Sequence, residues 1–233
     1  MNNHEIFEKS ETKWGSTLDG ILNRDEEYMI GKNIKKGGTI LEAGCGGGRI
    51  SFCMESKELG PISAFDFVES FIDEAKKNTT SKVNFFVADA SDLNNIKDNS
   101  FEYEVYLQKI FSLIPKDRFR DALRESNRTI KNGGTMICSF LNYGGRKYNG
   151  ILSAVLLFLR KLRKENKTKQ ELPWLKLKGK PNLKLLKKDQ ATVYWFNKDE
   201  IVSELKNAGY EILEVYAPND RPSILYVACK KAS

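Results

Sequence analysis

Glu42-Ala43-Gly44-Cys45-Gly46-Gly47-Gly48-Arg49 puts four glycines into five positions directly behind a short apolar run. Glycine lets a backbone turn sharply and bring its N–H groups close against a ligand. A dinucleotide fingerprint, GxGxxG, would place its third glycine at position 49, where this chain has arginine. Glu42 stands at the end of the apolar run, beside the loop. A carboxylate there repels a diphosphate and suits a ligand carrying an ammonium or a sulfonium, so the loop matches a cationic nucleoside better than NAD. Asp66, eighteen residues past Gly48, ends a second apolar run and is placed to accept hydrogen bonds from two ribose hydroxyls. Asp89 ends a third, in Val87-Ala88-Asp89-Ala90. Singly, each acid reads as a helix cap or a solvated loop residue. Three of them at successive strand ends, all associated with the glycine loop, read as a ligand site.

The elements that must position these residues are legible from periodicity. Short apolar runs at 39–43, 62–65, 83–88, 101–107 and 135–141 read as buried strands. Amphipathic stretches around 50–54, 69–77 and 116–130 read as helices, the last stopped by Asn132-Gly133-Gly134. Strands alternating with helices of this length predict an α/β fold with a doubly wound, mostly parallel sheet. Order returns at Asn197, a helix cap with Glu200 three residues on, and that helix runs to Gly209. Strands at 210–216 and 223–229 then form a hairpin, which makes one C-terminal strand antiparallel and brings the sheet to seven strands.

Length, composition and charge bound the rest. The chain has 233 residues, 40% hydrophobic and 30% charged, as expected of a globular protein with a sizeable core. Its net charge of +7 is unevenly spread. Residues 1–141 hold 19 basic and 22 acidic side chains, net −3, and residues 142–233 hold 19 and 9, net +10. Cys45, Cys53, Cys138 and Cys229 form no CxxC pair, which argues against a zinc site or disulfide framework and fits a reducing compartment. His4, the only histidine, lies in a polar N-terminal stretch, which leaves no credible histidine for a metal site or a Ser-His-Asp triad. The N-terminus has no basic start followed by an apolar run, so no secretory signal is read there. The longest apolar stretch, 151–159, is about half the length of a membrane span. The expected location is the cytoplasm.

ILEAGCGGGR, FD at 65–66 and VADA at 87–90 resemble the nucleotide-binding motifs of class I S-adenosylmethionine-dependent methyltransferases. SFEYEVYLQKIFSLIP, KNGGTMICSF and YWFNKDEIVSELKNAGYEILEVY are similar to the later strands and closing helix of that Rossmann-like fold. The resemblance covers residues 36–141 and 194–230. It implies S-adenosylmethionine as cofactor, with Gly44, Cys45, Gly46 and Gly48 shaping the loop around its methionine part and Glu42 near its amino group. It further implies Asp66, with Phe67 beside it, on the ribose, Asp89 and Ala90 on the adenine, and Gln108 as a backbone contact. Relatives often place a helix ahead of the first strand as a cap, and this assigns Trp14 to close over the cofactor and Arg24 to meet its carboxylate. Trp14 also reads as a core or interface anchor, and Arg24 as a solvated helix residue. The implied division is a core of residues 1–141 and 194–233, with an N-terminal helical cap, interrupted by an inserted lid or acceptor region at 142–193.

The chain departs from the family pattern in two places. Glu102-Tyr103-Glu104 replaces the usual aspartate and apolar residue of the fourth strand, and Glu104 falls where an unpaired charge is costly. Either the strand is frayed there or Glu104 has a partner. Lys109-Ile110-Phe111-Ser112 replaces the histidines common in relatives, which excludes a histidine base at that site. An Asn-Pro-Pro-Tyr signature for methylating exocyclic base or amide nitrogens is also missing.

Methyl transfer from a sulfonium is an in-line displacement, so alignment matters most. Tyr106, Gln108, Lys109, Tyr143 and Tyr148 are candidates near the acceptor, each with pocket lining or packing as the plainer reading, and none is assigned as a base. Residues 146–188 carry 14 Lys/Arg against Glu165 and Glu171, net +12. Within them the apolar run 151–159 leads into Arg160-Lys161-Leu162-Arg163-Lys164, a basic helical insertion after strand five. It reads as a lid, a dimer contact, or a peripheral contact with an anionic membrane or lipid-linked substrate. Nucleic acid fits less well, since only Tyr148 and Trp174 interleave the basic run. Pro173-Trp174-Leu175 reads as an anchor against the core. The expected activity is methyl transfer to oxygen or nitrogen of a small-molecule or lipid-linked acceptor. The alternatives are a catalytically silent binding subunit and an RNA methyltransferase.

Overall fold

A computed structural model describes residues 21–77, 81–146, 150–165, 167–172 and 193–232, and the backbone alone at 176–177 and 180–181. The first described helix, α1 (Arg24–Asn33), begins at a capping box. The Asn23 side chain accepts from the amides of Asp25 and Glu26, while Glu26 accepts from the Asn23 amide at 2.9 Å. Acidic residues crowd its first turn and Lys32 its last, matching the helix dipole.

The order then alternates as the sequence patterns require: β1 (Ile40–Ala43), α2 (Arg49–Ser56), β2 (Ile62–Asp66), α3 (Glu69–Lys76), β3 (Asn84–Val87), β4 (Phe101–Tyr106), a single turn α4 (Ile110–Leu113), α5 (Phe119–Thr129) and β5 (Ile130–Asn142). Helix α6 (Gly150–Leu162) follows β5. A two-residue ladder joins 176–177 to 180–181, and β6 (Trp195–Phe196), α7 (Lys198–Asn207), β7 (Tyr210–Tyr216) and β8 (Ile224–Lys231) complete the described chain. The main sheet runs β3-β2-β1-β4-β5-β8-β7, with β6 added beside the end of β5. Strands β1 to β5 are parallel, and β8 is antiparallel to both β5 and β7. All parallel carboxyl ends therefore face one edge, where open α/β sheets bind ligands.

Two local readings need correction. The helix expected to stop at Asn132-Gly133-Gly134 ends at Thr129, and those residues lie inside β5 as an irregularity. Phe101 pairs with Ile130 and Tyr103 with Thr135, so the chain between them loops out. Gly133 takes φ +73°, and a Cβ on Gly134 would sit 2.9 Å from the carbonyl oxygens of both Glu102 and Lys131. The sheet also has eight strands rather than seven, because Trp195 and Phe196 pair in parallel with Leu141 and Asn142. Two residues show no alternation, so periodicity alone does not reveal such a strand.

Glu104 has partners. It is fully buried in β4 between Leu41 of β1 and Met136 of β5. Its carboxyl lies 2.5 Å from the Ser126 hydroxyl and 2.6 Å from that of Thr129, both on α5. Burial pushes its pKa up to about 8, although both hydroxyls pull it down. The strand is intact, and the acid is accommodated largely as its neutral form.

The C-terminal helix reads as expected. Asn197 and Glu200 form a capping box on α7, and Gly209 turns the chain at φ +87°. Asn197→Ala is expected to cost about 1 kcal/mol, measured as a lower urea midpoint with an unchanged slope.

Candidate active site

The glycine loop fills the space between the end of β1 and α2. Gly44, Gly46 and Gly48 have φ of +64°, +53° and +89°. At Gly44 the reason for glycine is steric as well as conformational, because a Cβ there would come within 2.2 Å of the Ile110 side chain. At Gly48 a Cβ would press on Phe52 and Phe85, at 2.8 and 3.0 Å. The Cys45 amide donates to the Phe65 carbonyl at 3.0 Å, and the Gly46 amide to the Asp66 carboxylate at 2.9 Å. The same carboxylate accepts from the Val68 amide at 3.0 Å. Asp66 is thus buried at the end of β2 and ties the glycine loop to the neighbouring strand, with Phe67 next in the turn.

Asp89 follows β3. Ser91 donates to it through both its amide (2.9 Å) and its hydroxyl (2.6 Å), and Arg118 donates at 2.9 Å. Burial raises its pKa, but these hydrogen bonds outweigh burial and hold it below the usual value. Ala90 beside it is buried. Glu42 is sealed beneath the loop, where the Ser51 hydroxyl of α2 donates to it. Burial pushes Glu42 up to about 8, opposed by Ser51 and Arg49. The carboxyl read as lying beside the loop is therefore a buried, largely neutral group at pH 7 that joins β1 to α2.

A second feature lies beyond the loop. A cleft of about 470 Å³ opens between the start of α1, the end of β4, and the edge formed by β5 and β8. Arg49 and Glu26 face it as a pair joined by two 2.9 Å hydrogen bonds, and the Gln108 amide also donates to Glu26. Gln108 and Lys109 both have left-handed backbones, φ +61° and +65°. Two adjacent non-glycine residues in that region hold strain that the surroundings must offset. The Lys109 amide is fixed by Ser139 Oγ at 2.9 Å. Lys109 lines the cleft, and burial lowers the pKa of its ammonium; Glu26 opposes this, and Arg221 and Arg49 reinforce it.

The structure thus gathers Gly44, Cys45, Gly46, Gly48, Asp66, Asp89, Ala90 and Gln108 along one edge, as the sequence pattern required. Arg24 does not join them. It is exposed, paired with Asp220 at 2.8 Å, and it is Arg49 that faces the cleft. Trp14 and Tyr148 lie outside the described residues, as do Pro173, Trp174 and Leu175. Glu26, Arg49, Ser139, Arg221 and Tyr226 were not read from sequence as lining a site. Ser139 carried a signal, being the one hydroxyl inside the apolar run Met136-Ile137-Cys138-Ser139-Phe140-Leu141.

Residues 40–134 match a family model described as a methyltransferase domain. Over those residues the chain is similar to methyltransferase domains. It is 29% identical over 146 residues to a demethylmenaquinone methyltransferase of Staphylococcus aureus, covering 58% of each chain. The chain thus spans little more than half the length of that relative. Among solved structures it resembles a methyltransferase from Methanosarcina mazei, with a TM-score of 0.66 and 20% identity over 88% of this chain and 97% of the other. It also resembles one from Mesorhizobium loti, at 0.64 and 18% over 92% and 100%. At these identities the structural likeness concerns the fold. The match to the methyltransferase-domain model runs from β1 into the bulge of β5, and so contains the glycine loop, Asp66, Asp89 and Lys109.

Proposed function

We propose that the protein transfers a methyl group from S-adenosylmethionine to a small-molecule or lipid-linked acceptor, at oxygen or nitrogen. The observation that carries this reading is the glycine loop at the end of β1, tied through the Gly46 amide to the buried carboxylate of Asp66. The donor set fits the cofactor. Acids end β2 and follow β3, and the arginine adjoining the loop is engaged by Glu26, so a cationic, diol-bearing nucleoside suits the edge better than a diphosphate. In this reading Asp66 takes the ribose hydroxyls, Asp89 and Ala90 the adenine, and Gln108 the methionine end. When bound, the cofactor supplies an electrophilic methyl group on a sulfonium. The chain's task is then to align the acceptor in the cleft and keep water away. Calorimetry is expected to show one molecule of S-adenosylmethionine or its demethylated product bound per chain. No heat of binding by a folded sample would overturn the proposal, and binding without turnover over a broad acceptor panel would favour a silent subunit.

The lipid-linked form of the acceptor rests on α6. Ile151, Val155, Phe158 and Leu162 follow helical spacing on one stripe and are exposed, Ile151 by 82% and Phe158 by 62%. The opposite face buries Ser153, Leu156 and Arg160. Exposed Lys161, Arg163 and Lys164 follow the stripe. An apolar stripe ending in cations suits an anionic lipid surface, and the name of the Staphylococcus relative is compatible with such an acceptor. Among the described residues no helix is long and apolar enough to cross a membrane. In this reading 142–193 is the inserted acceptor region. Phosphatidylglycerol-containing vesicles are expected to sediment the protein at low salt, and pure phosphatidylcholine vesicles to do so far less. The pair Phe158→Asp and Leu162→Asp is expected to weaken that binding about tenfold or more. Unchanged sedimentation of the double variant would remove α6 from the contact.

A further inference from the structure

Among the charged groups facing the cleft, Lys109 differs from the rest. Glu26 is held by Arg49, by Gln108 and by the Asn23 amide. Arg221 donates to Asp25 and to Asn23. The Lys109 ammonium has no hydrogen-bond or ion-pair partner among the described residues, although the residue lines the cleft and its backbone is held in a strained turn. A half-buried cation without a partner is costly unless something supplies the opposite charge.

The position of the cleft bears on what that something is. In the sheet, β1 carries the glycine loop, then come β4, β5 and β8. Neighbouring strands lie roughly 4.8 Å apart, so Ser139 on β5 and Tyr226 on β8 sit about two and three strand spacings from the loop. In the methyl-transfer reading, the part of the cleft towards Ser139 and Tyr226 is the ground left for the acceptor. Ser139 and Tyr226 add hydroxyls, and Leu22 and Ile224 apolar walls. This lining suits a flat or lipid-like body bearing one charged oxygen.

We infer that Lys109 is a specificity-determining residue that pairs with an anionic oxygen of the acceptor, a carboxylate, phenolate or enolate, and so selects acidic acceptors over neutral ones. The inference rests on the methyl-transfer reading. Burial depresses the Lys109 pKa, and Arg221 and Arg49 add to this against the opposing pull of Glu26; an anion beside the ammonium offsets that cost. An oxygen held ionised also needs no general base to accept a methyl group, which agrees with a cleft that has no histidine among the described residues.

The test uses protein saturated with the demethylated cofactor. Benzoate and 4-nitrophenolate are compared with their neutral counterparts benzamide and 4-nitroanisole, by calorimetry and, for 4-nitrophenol, by the pH at which its visible absorbance appears. Wild-type protein is expected to favour the anions by about tenfold or more, as a charge-assisted contact does, and to lower the apparent pKa of bound 4-nitrophenol. Lys109→Met is expected to lose both effects and Lys109→Arg to retain most of the preference, with melting curves establishing that each variant is folded. Absence of any anion preference in wild-type protein, or its persistence in Lys109→Met, overturns the inference. So does a loss of demethylated-cofactor affinity of about tenfold or more in Lys109→Met, because the lysine would then serve the cofactor's carboxylate. If wild-type protein fails to bind the demethylated cofactor, the methyl-transfer reading itself falls, an outcome distinct from cofactor binding without anion preference.

Discussion

Asp66→Ala is expected to weaken S-adenosylmethionine binding by roughly 100-fold or more while leaving a folded protein. In the proposed role the carboxylate accepts from two ribose hydroxyls, and hydrogen bonds to a charged acceptor contribute about 1.5–3 kcal/mol each. Losing both corresponds to roughly 10² to 10⁴ in affinity. A second effect has the same sign. The Gly46 and Val68 amides, which now donate to Asp66 at 2.9 and 3.0 Å, lose their acceptor. The loop is then no longer tied to the end of β2. Asp66→Asn separates the two effects, since its carbonyl oxygen still accepts from one of these amides while its NH₂ group presents donors to the ribose. Titration calorimetry of both variants, with thermal melts as the fold control, reads the outcome. An alanine variant that binds within a few-fold of wild type would remove Asp66 from the cofactor site.

Glu104 carries the second large effect, and it concerns stability. Its pKa lies near 8 in the folded chain, against about 4.3 in an unfolded one. Between those values the folded state keeps a proton that the unfolded state has released. Stability is therefore fully present below about pH 4.3 and falls as pH rises towards 8, by about 1.4 kcal/mol per pH unit for this group. Glu42, also raised to about 8, adds a second contribution of the same sign over the same window. Glu104→Gln removes one of the two. The hydrogen bonds favour this exchange, because neutral Glu104 gives every hydroxyl around it one donor role. Tyr210 can donate to Ser126 (2.7 Å), Ser126 to the carboxyl (2.5 Å), the protonated carboxyl to Thr129 (2.6 Å), and Thr129 to the Glu125 carbonyl (3.0 Å). A glutamine reproduces that pattern with its carbonyl and NH₂ groups. Urea unfolding is expected to show near-equal stability of variant and wild type at pH 5. At pH 8 and above the variant is expected to lead by a few kcal/mol. An unchanged pH slope in the variant would contradict this account. Glu104→Leu, by contrast, takes from Ser126 its acceptor and from Thr129 one of its partners, and is expected to be less stable than Glu104→Gln at every pH.

Much of the carboxyl edge that carries the glycine loop was legible in the sequence. The apolar runs ending in Ala43, Asp66 and Ala88, the glycines at 44 to 48, and the Asn197–Glu200 cap are local signals, governed by side-chain periodicity and backbone sterics within a few residues. Asp66 and Asp89 were placed correctly on the carboxyl edge because parallel topology brings every such strand end to the same side. The helix stop at Asn132-Gly133-Gly134 was misread because glycines that end a helix also permit a bulge, and only the pairing of Phe101 with Ile130 and of Tyr103 with Thr135 separates the two. The short strand at Trp195 and Phe196 was missed because its stability comes from β5 rather than from its own pattern.

By itself the sequence determined the fold class, the loop and the strand-end acids, since each follows from contacts between near neighbours. It could not say which charges are neutralised. Glu42 proved sealed under the loop, and Glu104 met hydroxyls more than twenty positions away. Arg24 found Asp220 across the chain, Arg49 turned back to Glu26, and Lys109 came to line the cleft with no partner among the described residues. Charge pairing depends on which side chains the sheet brings within a few ångströms, and no local pattern encodes that, so the tertiary structure alone decided which charged groups line the cleft.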